Sequence, residues 1–284
     1  MLGQRILTAI VLLAVLAAAI SADQPLWFLA LLALAAACAT WEWLRLTLPA
    51  SPASATPVGV AVLLFAAMLA AAWAFQRGGE AARMLEHLVG LLTPAVSVVW
   101  LLAASVAVVR GRSDAPAASL GWSLFAVPAT LAAWSVLGLM YLAYGSIYVV
   151  SLLALVWVAD IAAYFAGRAF GRHKLAPRVS PGKTIEGAVA GVVAALLWIV
   201  ASASWPGTFG YALAERWSIW GAAPLGALLG VIAIMGDLFE SLLKRRAGRK
   251  DSSALLPGHG GVYDRIDAII PVVPVALLLS GVLF

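Results

Sequence analysis

The chain has 284 residues, 64% of them hydrophobic and 11% charged, against about 45–50% and 25% in soluble domains. This excess belongs in lipid and leaves no sizeable soluble domain. The net charge of +5 and pI near 9.7 do not point to nucleic acid, because basic residues in a membrane chain first report orientation; no nucleic-acid partner is expected. The single cysteine, Cys38, lies in an apolar run, which excludes a disulfide framework and a thiolate metal site.

Apolar runs long enough to cross a bilayer recur along the chain, and an open chain in lipid has only the helix available to it. The expected fold is an all-α polytopic membrane helical bundle of about nine transmembrane helices, near residues 5–22, 26–44, 57–75, 89–109, 121–140, 144–165, 187–205, 221–236 and 268–284. The first stretch imitates a signal peptide, with Arg5 ahead of Ile6 to Ile20. It is long for a signal core, and cleavage after Ala22 would set bulky Ile20 where a small residue is needed, so a retained span is expected. Pro49 to Pro57 is a short surface loop rich in Pro, Ser and Ala.

Charge divides the chain. If the N-terminus and the even-numbered connections share one side, that side holds fifteen Lys and Arg against three on the other. The N-terminus and the two long polar connections, 166–186 and 237–267, are therefore expected in the cytoplasm. Residues 1–143 read as a transmembrane scaffold and 144–284 as a catalytic transmembrane region carrying both connections, with Asp160, Asp237, Asp251, Asp264 and Asp267 in or beside them.

Asp160 stands about five residues inside the sixth span, roughly 7–8 Å along a helix, where an ionised carboxylate is costly unless paired or functional. Tyr164 and Arg168 share its face at i+4 and i+8. A structural pair with Arg168 and a nucleotide or metal contact are both open. Further on, Ser180-Pro-Gly-Lys183-Thr184 ends like a P-loop, but Pro177 occupies the position of the first glycine and an apolar span precedes it; it is not a P-loop. Its Gly, Ser, Thr and Lys can still bind phosphate oxygens if Thr184 to Gly187 opens the seventh helix with free N–H groups. Lys174 and Glu186 flank this stretch.

The segment Ser241 to Asp267 has the composition of a phosphate and metal site. Carboxylates at the end of the eighth span and the start of the ninth offer hard oxygens to Mg²⁺, which takes one or two carboxylates and keeps positions for substrate phosphates. If the eighth helix continues past Gly236, Asp237, Ser241 and Lys244 share a face at i, i+4 and i+7, and Asp264 and Asp267 share one at i, i+3. Gly258, Gly260 and Gly261 let the backbone approach a phosphate. A solvated juxtamembrane loop is the plain alternative.

Ser241-x-Leu-Lys244-Arg245, then Lys250-Asp251, then Pro257-Gly-His259-Gly260-Gly261-Val-Tyr-Asp264-Arg265-Ile-Asp267 resembles the signature of phosphatidate cytidylyltransferases, the CDP-diacylglycerol synthases, with every fixed position present. The 160–187 stretch resembles the same family's cytoplasmic segment more loosely. The resemblance implies transfer of a cytidylyl group from CTP to phosphatidate, giving CDP-diacylglycerol and pyrophosphate in the inner membrane of a bacterium. It implies a Mg²⁺ site at Asp237, Asp264 and Asp267, with a second ion allowed by the number of carboxylates, and a homodimer. Lys244, Arg245 and Arg265 join these as catalytic residues. Asp160, Lys174, Ser180, Lys183, Thr184, Glu186, Ser241, Lys250, Asp251, His259, Gly260 and Gly261 are expected to contact substrate, His259 in a positioning role, because a phosphate monoester is already largely dianionic near neutral pH. The rivals are a CTP-dependent enzyme acting on a polyprenol or ether lipid, and a divalent-cation transporter. The transporter is disfavoured because the first five spans look nearly empty of acids.

Overall fold

The computed structural model describes residues 2–49 and 54–281. Ten α-helices carry most of them: α1 (Leu2–Ser21), α2 (Pro25–Thr47), α3 (Thr56–Arg77), α4 (Gly79–Val98), α5 (Ser105–Arg110), α6 (Leu120–Phe170), α7 (Ile185–Ser202), α8 (Phe209–Arg246), α9 (Tyr263–Ile266) and α10 (Ile269–Ser280). A π-helical turn, Val99–Ala104, joins α4 to α5. Pro25 and Pro57 sit in the first turns of α2 and α3, where a missing N–H costs nothing.

Six helices among the described residues are long and apolar enough to cross a membrane, which does not by itself confirm the expected count of about nine. The expected fifth and sixth spans are the two halves of α6, which meet at a kink where Gly145 leaves the helical conformation. The described apolar part of the first span is Leu7–Ser21, and α10 has only 12 residues; both are too short to be counted. A second addition to the all-α expectation is a two-stranded antiparallel hairpin, β1 (Lys174–Ala176) and β2 (Ser180–Thr184), with Lys174 opposite Thr184 and Ala176 opposite Ser180. Pro177 and Pro181 bar a helix there.

The chain divides into two compact units. The first comprises Met1–Leu92, Asp114–Gly138 and Leu243–Ile266. Its spine is α2, whose Phe28, Leu29, Ala33, Trp43 and Leu46 are buried and which packs against α1, α3 and α9. Several polar groups inside this unit find partners, as an apolar surrounding demands. Thr40 and Thr130 share a hydrogen bond of 2.7 Å, Ser123 donates to Thr47 at 2.9 Å, and Trp134 Nε1 donates to the Leu29 carbonyl at 3.0 Å. Trp43 stacks flat on Tyr263, ring centres 5.2 Å apart, which fastens the short helix α9 to α2.

The second unit comprises Thr93–Ser113, Leu139–Leu242 and Asp267–Phe284. Small residues let its helices approach closely. A methyl at Gly187 or Gly191 of α7 would press on the Ala163 or Ala159 carbonyl of α6, and one at Gly226 or Gly230 of α8 would press on Ile199 or Ala195 of α7. Trp198 Nε1 donates to the Ser151 carbonyl and Phe209 N–H to the Ser151 hydroxyl, each at 2.8 Å. The hairpin is pinned to this unit by Val179, buried with Leu238 and Leu242 of α8.

Candidate active site

In the second unit the end of α6, the hairpin, the start of α7 and α8 enclose a cavity of about 480 Å³. Asp160, Tyr164, Arg168, Ser180, Gly182, Lys183, Thr184 and Asp237 line it, within the range of small-molecule sites. Thr184 is the N-cap of α7: its backbone is extended and its hydroxyl accepts the Gly187 N–H at 3.2 Å. The α7 N-terminus thus opens where the sequence suggests, but one of its N–H groups is used internally. Lys183 pairs with Asp237, and the Ser241 hydroxyl donates to Asp237 Oδ1 at 3.4 Å. Arg168 donates to Tyr164 Oη at 3.2 Å and forms no pair with Asp160, so the structural reading of Asp160 loses its partner. Asp267, half-buried, accepts the Ala268 N–H at 2.8 Å. Desolvation first, then the charge of Asp237, lifts its carboxyl well above the ordinary carboxylate range, with Lys183 acting the other way.

Glu186 and Lys174 are elsewhere. The Glu186 carboxylate accepts the N–H groups of Arg172 and His173 at 3.1 and 3.2 Å and meets His173 Nδ1 at 2.7 Å, closing the base of the hairpin. It lines a separate cavity with Ala169 to His173. Lys174 is exposed on β1.

Helix α8 runs on to Arg246, as the i, i+4, i+7 spacing of Asp237, Ser241 and Lys244 requires. In the first unit Lys244 donates to Asp264 Oδ1 at 2.6 Å, with only 14% and 6% of the two side chains exposed. Asp264 Oδ2 accepts the Ser252 N–H at 3.0 Å, the Ser252 hydroxyl at 2.8 Å and the Gly261 N–H at 2.7 Å. Both oxygens of Asp264 therefore accept hydrogen bonds. The loop that supplies these donors is built by a turn over Leu256 to His259, closed by His259 N–H to the Leu256 carbonyl at 2.9 Å. Pro257 and Gly258 (φ +74) supply its two central conformations. Gly260 adopts φ +83, and a side chain there would abut Asp264 Oδ2. Arg265 grips the His259 carbonyl through Nε and Nη2 at 3.1 and 2.6 Å, so the backbone of His259 anchors the arginine. Arg245, Lys250 and Asp251 are exposed.

One residue escaped the sequence. Glu42 of α2 is fully buried and receives the same loop. Its Oε1 accepts Ser253 Oγ at 2.6 Å and Val262 N at 3.0 Å; its Oε2 accepts Tyr263 N at 2.6 Å and lies 2.9 Å from Ser252 Oγ, whose single hydrogen it shares with Asp264 Oδ2. The signal was present in the sequence: an acid inside an apolar span is a functional hypothesis by default.

Among the described residues no group of three or more His, Cys, Asp or Glu is set to hold a metal. Asp237 and Asp267 offer hard oxygens, and the Asp267 carboxyl is raised by desolvation first and by the charge of Asp237 second. That donor chemistry fits a Mg²⁺ completing its shell with substrate phosphates and water.

The family model described as the cytidylyltransferase family matches residues 3–283. The chain is 35% identical to the phosphatidate cytidylyltransferase of Haemophilus influenzae, over 96% of each chain. It is 37% identical to that of Pseudomonas aeruginosa, over 97% of this chain and 95% of that one. With the enzyme of the same name from Thermotoga maritima it shares 36% identity over 51% of this chain and 53% of the other.

Proposed function

From the premise that this chain belongs to the cytidylyltransferase family, we propose that it transfers the cytidylyl group of CTP to phosphatidate, releasing pyrophosphate and leaving CDP-diacylglycerol in the membrane. A phosphatidate oxygen attacks the α-phosphorus, a new P–O bond forms, and the bond from that phosphorus to the bridging oxygen of pyrophosphate breaks. The observation that carries the reading is the cavity at the α7 N-terminus, where Ser180, Gly182, Lys183 and Thr184 stand together on a rigid hairpin and N-cap. Hydroxyls, a lysine ammonium and the helix N-terminus are a set of donors suited to a polyphosphate.

In this reading Lys183 exchanges its Asp237 partner for a phosphate oxygen when CTP enters. Glu186 acts indirectly, by holding the hairpin closed. Asp237 and Asp267 would hold a divalent ion, whose chemistry is to neutralise charge gathering on the phosphoryl oxygens. The resemblance over Ser241–Asp267 brings Lys244, Asp264 and Arg265 into the reaction as well. The fifteen-to-three distribution of basic residues supports a cytoplasmic location for this chemistry, in the inner membrane of a bacterium. CTP would reach it from water and phosphatidate from the leaflet.

The test is label transfer. With purified protein, Mg²⁺ and phosphatidate, label from the α-phosphate of CTP should enter the lipid phase and label from the γ-phosphate should leave as pyrophosphate. Label from the γ-phosphate in the lipid would make the chain a kinase, and α-label transferred only to a polyprenyl acceptor would replace phosphatidate as substrate.

A further inference from the structure

The loop Ser252–Tyr263 is held from both sides by carboxylates, but only Asp264 lies in the signature. The other is Glu42, at a sequence separation of 210 from Ser252 and 221 from Tyr263. We infer that Glu42 is a positioning residue for the reaction: it fixes the loop whose Ser252 and Gly261 groups orient Asp264. The inference rests on the reading that Asp264 belongs to the reaction.

The geometry is reciprocal. Ser252 offers its N–H and hydroxyl to Asp264 Oδ2, and the same hydroxyl lies 2.9 Å from Glu42 Oε2. Gly261 N–H points to Asp264, while the next two N–H groups, of Val262 and Tyr263, point to Glu42. Three successive amides are thus divided between two carboxylates. A backbone so constrained can neither slide nor rotate without emptying one of them, and a buried carboxylate deprived of donors is strongly disfavoured. Gly261 is compulsory for the same reason, since a methyl there would collide with the Ser252 hydroxyl and the Glu42 carboxylate.

Each Glu42 oxygen accepts one backbone N–H, and an N–H cannot be turned round. A glutamine, of equal size, must therefore set an amide N–H₂ against either Val262 N–H or Tyr263 N–H. Ser253 offers a milder perturbation, because its hydroxyl meets Glu42 Oε1 at 2.6 Å and has no bond to Asp264.

The experiment compares Glu42→Gln, Ser253→Ala and Asp264→Asn in the purified full chain. It measures kcat, the KM for CTP and hydrogen exchange at the amides of Gly261, Val262 and Tyr263. For Glu42→Gln we expect kcat to fall by at least about tenfold, as for supporting groups around reactive centres. The KM for CTP should stay within about threefold, and those three amides should exchange at least about tenfold faster while α3 stays protected. Ser253→Ala should show the same pattern in smaller measure, and it decides the matter if Glu42→Gln does not accumulate. Faster exchange with unchanged kcat would make Glu42 purely structural and overturn the inference, as would no change in either. Asp264→Asn separates the two levels. Normal turnover there removes the reading on which the inference stands, whereas an impaired Asp264→Asn beside a normal Glu42→Gln removes the inference alone.

Discussion

Gly261→Ala is a test in which one methyl group meets a defined obstacle. The backbone of Gly261 is not in the left-handed region, so alanine carries no conformational penalty of its own and only space is at issue. The added carbon would stand 2.6 Å from Glu42 Cδ and closer still to Glu42 Oε2 and Ser252 Oγ. Carbon atoms rest about 3.5–4.0 Å apart, so roughly 1 Å must be found. If Glu42 gives way, its Oε2 loses Tyr263 N–H and Ser252 Oγ. The Tyr263 N–H is the unshared donor of the two, and at about 1.5–3 kcal/mol for a bond to a charged group its loss alone is a sizeable share of a typical folding free energy of about 5–15 kcal/mol. If the loop gives way, the Gly261 N–H leaves Asp264, and a displacement of about 1 Å near a reactive group can cost about 100-fold in rate. The assay is cytidylyl transfer to phosphatidate together with thermal unfolding in detergent, with Gly59→Ala as control. A methyl on Gly59 meets nothing within 4 Å on helix α3, so that variant should keep its activity and melt at the same or a higher temperature. Gly261→Ala with turnover within about threefold of the parent and an unchanged melting temperature would refute the packing derived for this loop.

The cavity in the second unit yields two more. Lys183→Met removes the partner of Asp237 and a phosphate donor; the KM for CTP should rise about 10–100-fold, the equivalent of a charged hydrogen bond of about 1.5–3 kcal/mol, in saturation kinetics on CTP. An unchanged KM would remove Lys183 from the nucleotide site. Thr184→Val keeps the shape but not the cap, freeing the Gly187 N–H; stability should fall by about 1 kcal/mol, read as a lowered melting temperature, and a melting temperature equal to the parent's would show that the cap does not matter to α7.

How much of this was legible in the sequence follows the range of the interactions. The run of α8 past Gly236, the opening of α7 at Thr184 and the glycine-dependent turn near His259 depend on neighbours a few residues away, and spacing alone announces them. The hairpin 174–184 was missed although Pro177 and Pro181 ruled out a helix, because an apolar chain invites the assumption that every polar connection is irregular. The division of α6 was also legible: its apolar run is about 77 Å long as a helix, too long for one crossing of a core about 30 Å thick, and the non-helical backbone of Gly145 parts it where the fifth and sixth spans are expected to meet. Asp264 is legible as an acid of the signature segment, but the partners that orient it, Lys244, the Ser252 and Gly261 amides and the Ser252 hydroxyl, come from the folded loop and not from spacing. Glu42 was hidden by the longest range of all. Its burial in α2 is tolerable because Ser253 Oγ, Val262 N and Tyr263 N, all more than 200 residues away, donate to it, with a share of the Ser252 hydroxyl, and no periodicity within the second span encodes them. The sequence nevertheless holds the converse clue. A lone acid between two tryptophans in an apolar helix must find partners or lose its charge, so its presence alone requires that some other segment supply donors to α2. Among the connections, the one with two adjacent serines and a glycine pair is chemically equipped to do so.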